Sequence, residues 1–255
     1  MNRVLEDILR TGYTKTVDGE SIKINSNISR EEGGFLQEII NELKPTRTLE
    51  IGLAYGVSAL FICDALAKIP SARHVIIDPC QGSQDLWKGV GLRNLTVAGF
   101  QDMIEFYEQP SHIALPRLIS EGREIDFAFI DGAHAFDYAL VDFFCVDYLL
   151  RTNGVVVFDD TGMPAIQRLC RFIITNRAYT VLRYFPYNNE ASSKGYSKRR
   201  LFKKASQLSP VAKRVFKYEY AKPEVDLSLG LPGSQCIAFR KNAADTRAWN
   251  FYHDF

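Results

Sequence analysis

Three aspartates follow two short apolar runs. Asp131 comes directly after IDFAFI (125–130), and Asp159-Asp160 come after VVVF (155–158). If these runs are neighbouring strands, three carboxylates meet in one crevice, where they repel unless a cation or protons compensate them. Oxygen-only ligands favour a hard cation such as magnesium, which keeps several waters and open positions. No cysteine and a single histidine, His134, stand near these acids in the chain, which argues against zinc. A second reading stays open, in which each acid has its own duty: Asp131 in a turn, Asp159 against a cofactor, Asp160 capping the next helix.

The other chemistry-bearing stretch is TLEIGLAYGVSAL, Thr48 to Leu60. It reads as a buried strand, a bend bracketed by Gly52 and Gly56, and the start of a helix with Ser58 near its beginning. Glycine suits such a bend because positive φ costs it little and no Cβ keeps a ligand from the backbone. The helix start offers unpaired N–H groups. Glu50 is an acid in an otherwise apolar strand, and burial demands that it have a partner. A dinucleotide turn has the spacing Gly-x-Gly-x-x-Gly. Here the spacing is Gly-x-x-x-Gly behind an acid, which would repel a pyrophosphate and suit a cationic ligand. An ordinary strand-to-helix turn is the competing reading.

These residues need a scaffold, and the pattern supplies one. Apolar strands are expected at 48–51, 73–77, 103–107, 125–130, 155–158 and 179–184. Helices are expected at 59–69, 87–98, 113–120, 136–150 and 164–176, the fourth capped by Asn153-Gly154. A capping box at Ser29 opens an earlier helix that runs to Leu43. Such alternation predicts an α/β fold, a Rossmann-like doubly wound sheet covered on both faces. QCIAFR (235–240) reads as a last strand. Ligands in such folds bind at the carboxyl ends of the strands. Asp78, 28 residues after Glu50, is therefore placed to accept both hydrogen bonds of a ribose diol. As a strand-end turn residue before Pro79 it would have no ligand.

At 255 residues the chain fits one large α/β domain or one domain with an appendage. We divide it into an N-terminal helix and connection (1–27), a core (28–186), a basic insertion (187–232) and a last strand with its tail (233–255). The insertion carries Lys194, Lys198, Arg199, Arg200, Lys213 and Lys217 among its basic residues, with aromatics between them. Three readings stand for it: a lid over the acceptor site, a patch for an anionic substrate or RNA, and a solvated insertion. The net charge of +1 argues against a globally basic nucleic-acid binder. No apolar run reaches the ~18 residues of a membrane helix. MNRVLEDILRTGY has no signal-peptide core, so a cytoplasmic protein is expected. The five cysteines are scattered and form no CxxC pair, which suggests neither a zinc site nor a disulfide framework. The N-terminal helix and the aromatic tail (Trp249, Phe251, Tyr252, Phe255), expected to pack down, are surfaces a homodimer could use.

Glu50-x-Gly52-x-x-x-Gly56-x-Ser58 resembles motif I of the class I S-adenosylmethionine-dependent methyltransferases. The runs IDFAFIDGAHAFDY and LLRTNGVVVFDD resemble the cation-dependent O-methyltransferases, the catechol and caffeoyl-CoA type and their macrocin-type tailoring relatives. The similarity covers about residues 28–184. It implies a seven-stranded sheet, mostly parallel, with an antiparallel last strand beside the sixth. It implies S-adenosylmethionine as cofactor, with Glu50, Gly52, Gly56 and Ser58 around its methionine part, Asp78 at its ribose, Ser111 at its adenine edge and Asp131 beside it. It further implies Mg2+ on Asp131, Asp159 and Asp160, with Asp131 also counted among the catalytic groups. The catechol branch has a lysine as general base at the position of His134, and a histidine suits that role at neutral pH. That branch also has asparagine where this chain has Asp160, a departure shared with the tailoring branch. The implied activity is O-methylation of a small-molecule hydroxyl. Methylation of RNA through the basic segment and a non-catalytic nucleotide-binding Rossmann protein are the competing functions.

Overall fold

The computed structural model describes residues 1–25, 27–186, 229–231 and 233–255. The lid expectation rests on residues 194–217 and so lies outside the described residues.

Helix α1 (Arg3–Thr11) leads into a two-stranded hairpin, β1 (Tyr13–Lys15) and β2 (Ser21–Lys23), within a stretch expected to be an irregular connection. Helix α2 (Arg30–Leu43) opens with the expected capping box, in which Ser29 and Glu32 satisfy each other's backbone. The core then alternates: β3 (Arg47–Ile51), α3 (Val57–Leu66), β4 (Arg73–Ile77), α4 (Val90–Val97), β5 (Ile104–Tyr107), α5 (Ser111–Ser120), β6 (Ile125–Ile130), α6 (Phe136–Leu149), β7 (Leu150–Phe158), α7 (Pro164–Asn176), β8 (Tyr179–Pro186) and β9 (Ser234–Lys241).

The seven-stranded sheet has the order β5-β4-β3-β6-β7-β9-β8. Strands β3 to β7 pair in parallel, and β9 is antiparallel to both β7 and β8. The last strand therefore stands beside the sixth, as expected, and is wedged between it and the fifth. Helices α1 to α4 cover one face and α5 to α7 the other. Side chains alternate between the two packed layers: Phe127 and Phe129 join the first, Ala128 and Ile130 the second. Burial on both faces is why these strands read as unbroken apolar runs rather than as alternating ones.

Three local expectations need correction. Asn153-Gly154 do not cap α6, which ends at Leu149; they lie inside β7. Asn153 takes a left-handed φ of 68°, and the pairing with β6 shifts register between Ile125 and Phe127, so the strand is irregular here, with Asn153 exposed and Gly154 buried. Trp87 stands in a turn before α4 rather than in the helix. The tail packs down only in part. Phe255 meets Phe172 edge-on at 5.2 Å and His253 bonds to Asn176, but Trp249 is 97% exposed.

Candidate active site

A cavity of about 370 Å³ opens at the carboxyl ends of β3, β4, β5 and β6. Its first wall is the glycine turn. Gly52 has φ +91°, and a Cβ there would stand 2.1 Å from the carbonyl oxygen of Asp131, so only glycine lets β3 and β6 deliver their loops side by side. Gly56 has φ +78° and precedes α3. The turn is held from below by Asp78. Its Oδ2 accepts from the backbone N–H of Leu53 (2.9 Å) and Ala54 (3.1 Å), and its Oδ1 from that of Cys80 (2.7 Å). Asp78 lines the cavity, yet most of its acceptor capacity already serves the turn. That cross-strand role could not be read from a lone Asp-Pro.

Glu50 has its partners. It is fully buried and accepts from the Ser58 hydroxyl, and His74 Nε2 lies 3.1 Å from its other oxygen. His74 Nδ1 in turn meets Thr48 Oγ1 at 2.8 Å. Ser58 lines the cavity while Glu50, with no exposed surface, stands behind it. His74 went unnoticed in the sequence. The signal was there: a polar residue inside an apolar strand, on the same sheet face as Glu50 once β3 and β4 pair Thr48 with His74.

Asp131, Gly132, Ala133 and His134 form the adjoining wall. Single ligating atoms of Asp131, His134 and Asp160 lie within 4.8 Å of one another, and His134 Nε2 is 3.3 Å from Asp160 Oδ2. Asp160 reaches inward from a left-handed φ of 51°, a conformation that aspartate tolerates better than most residues. Asp159 turns the other way and forms a second group with Glu32 and Cys236. Its Oδ1 accepts from the Asp160 N–H (2.7 Å) and the Cys236 thiol (3.0 Å). Gln235 Nε2 bridges Asp160 (2.8 Å) and Asp159 (3.3 Å). The three acids thus share a neighbourhood but divide into two donor groups. Glu32, Gln235 and Cys236 were missed because strands and helices far apart in sequence bring them there.

The electrostatics record the crowding. Burial, and then the charges of Asp159 and Asp160, hold the Asp131 carboxyl well above the usual carboxylate range. Burial pushes Asp159 up to about 6 against the opposing hydrogen bond from Cys236, whose own thiol burial drives upward. The third wall carries Ser111 and His112 from the start of α5 and Asp142 from α6. Tyr55 and Trp87 meet edge-on at 5.1 Å and also line the space.

A glycine turn after the first core strand, an acid beneath it and a crevice across neighbouring strand ends are the ligand-binding frame of a doubly wound α/β sheet. Residues 49–161 match the Methyltransf_24 family, described as a methyltransferase domain. The chain is 28% identical over 163 residues to the caffeoyl-CoA O-methyltransferase of Populus kitakamiensis, covering 60% of this chain and 61% of that one. It is 26% identical over 157 residues to catechol O-methyltransferase B of Danio rerio, covering 60% and 56%. The O-methyltransferase of Bacillus cereus, solved in complex with SAH, superposes with a TM-score of 0.58 at 19% identity over 71% of this chain and 83% of that one. Residues 49–161 thus match a methyltransferase domain, and the chain is similar to caffeoyl-CoA and catechol O-methyltransferases. It spans little more than half the length of the curated relatives it matches.

No helix among the described residues is long and apolar enough to cross a membrane.

Proposed function

We propose that this chain is an S-adenosylmethionine-dependent O-methyltransferase that acts, with a divalent cation such as Mg2+, on a hydroxyl of a small molecule. The observation that carries this reading is the meeting of Asp131, His134 and Asp160 within 4.8 Å, beside the glycine turn and with Asp131 and His134 lining the cavity. A carboxylate-rich donor set fits a hard divalent cation, and the raised Asp131 carboxyl marks a place where positive charge is wanted. Asp131 and Asp160 would hold the ion, and Asp159 would join them by turning away from Glu32 and Cys236.

When bound, S-adenosylmethionine supplies a methyl group on a cationic sulfur. When bound, the cation lowers the pKa of the acceptor hydroxyl. The chain's own residues do the rest. Asp78 holds the turn so that its backbone meets the ligand in fixed geometry. Glu50, behind Ser58, gives this end of the cavity negative character suited to the cofactor's ammonium group. His134, oriented by Asp160, is placed to take the hydroxyl proton. Orientation and electrostatics then supply most of the acceleration.

Calorimetric titration with S-adenosylmethionine, with NAD as control, tests the cofactor. Micromolar binding of the first alone is expected, and preference for NAD would return the chain to the nucleotide-binding class. Activity on a panel of phenols and sugars, with cation and with chelator, then tests the reaction. Asp159→Ala is expected to lower turnover at least ~100-fold while cofactor affinity stays within about threefold. Full activity in that variant would sink the metal role.

A further inference from the structure

Asp142 has no part in the reaction described so far. It interrupts an apolar run on α6 between Val141 and Phe143-Phe144. The residue is only 2% exposed, yet it lines the cavity with Ser111 and Gly132. A Cβ on Gly132 would stand 3.6 Å from its Oδ2, and the Ser111 side chain is near enough to favour its charged form. Its Oδ1 is buried and has no hydrogen-bond partner. Tethering α5 to α6 accounts for the contact with Ser111. It does not account for a second, open acceptor, which is costly inside a protein.

The sheet order says which part of a ligand would meet it. The cavity crosses the ends of β3, β4 and β5, which are successive neighbours. A ligand whose sulfonium end lies at the glycine turn after β3, with its ribose at the end of β4, places its base at the end of β5. Ser111 and His112 stand there at the start of α5, and Asp142, on α6 beside Gly132, approaches them from the other side. A carboxylate at that point accepts hydrogen bonds and offers none. Rotation about its terminal bond is soft, so either oxygen can face the base.

Resting on the S-adenosylmethionine reading, we infer that Asp142 is the residue that selects adenine, its open oxygen accepting from the exocyclic 6-amino group. The carboxylate repels a base that carries a carbonyl oxygen at the same position.

The experiment is calorimetric titration of wild type, Asp142→Asn and Ser111→Ala with S-adenosylhomocysteine and with S-inosylhomocysteine, which replaces the 6-amino group by oxygen. Wild type is expected to prefer the adenosyl compound by about 30-fold or more. Asp142→Asn, whose amide can turn its NH2 toward a carbonyl, should narrow that to within about threefold. Ser111→Ala should keep most of the preference. An unchanged preference in folded Asp142→Asn would overturn the inference. Equal binding of both compounds by wild type would overturn it as well, whether or not the variant folds. Failure of wild type to bind either compound would instead strike at the cofactor reading.

Discussion

At the glycine turn, each buried acid is answered by donors from the protein itself. Asp78 takes three backbone N–H groups at 2.7–3.1 Å, and Glu50 takes Ser58 and faces His74. On the neighbouring strand ends, Asp131, Asp159 and Asp160 crowd together with Glu32, and burial and mutual repulsion raise Asp131 and Asp159. The first region is finished by folding. The second holds more negative charge than its own donors neutralise. This difference teaches that the turn is braced by the fold alone, while at the acid cluster folding holds carboxyls above their usual range.

Removing acids should therefore have opposite effects at the two ends. Asp78→Ala leaves three N–H groups of the turn unpaired and should destabilise the fold by about 2–4 kcal/mol, read by chemical denaturation. A neutral result would dissolve the contrast. Asp159→Asn should instead stabilise the metal-free protein near pH 7.5 by about 1–2 kcal/mol, less than a full shift to 6 allows because the acids titrate together. The sign follows from linkage. A carboxyl raised to about 6 in the folded state stays protonated after the unfolded chain ionises near 3.8. Stability from this group is greatest below the lower value and is lost as pH rises through the upper one. Melting temperatures of wild type should fall between pH 4 and 7 relative to Asp159→Asn, and parallel curves would break the argument. The smallest effect belongs to Trp249→Ala, far from both ends and 97% exposed, which should change stability by less than about 0.5 kcal/mol.

Much of this layout was legible in the sequence because parallel strands buried on both faces leave long apolar runs, and those of β4, β6 and β7 each run straight into an aspartate. Asp78, Asp131 and Asp159-Asp160 were visible in that way. The partners of those residues were not. His74 meets Glu50 only through the register of β3 on β4, and Cys236 meets Asp159 across 77 residues of chain. Asp142 was not singled out in the sequence, since nothing local says that α5 and α6 pack there. Asn153-Gly154 carried the local chemistry of a helix stop, but the strand had already begun at Leu150.

The wedged position of β9 has a consequence for the order in which the molecule can be made. Gln235 and Cys236, which fix the aspartate pair, belong to a strand that joins β7 only after some eighty further residues have been synthesised. A ribosome-bound chain that has already emerged through α7 carries the glycine turn and all three aspartates, but β7 still shows a bare edge. Such a non-local closure is slow to form and leaves an edge exposed to wrong partners in the meantime. The mould for the cofactor can thus exist during translation well before the acid pair is locked, which makes arrival of the last strand the step that commits the chain to its working form.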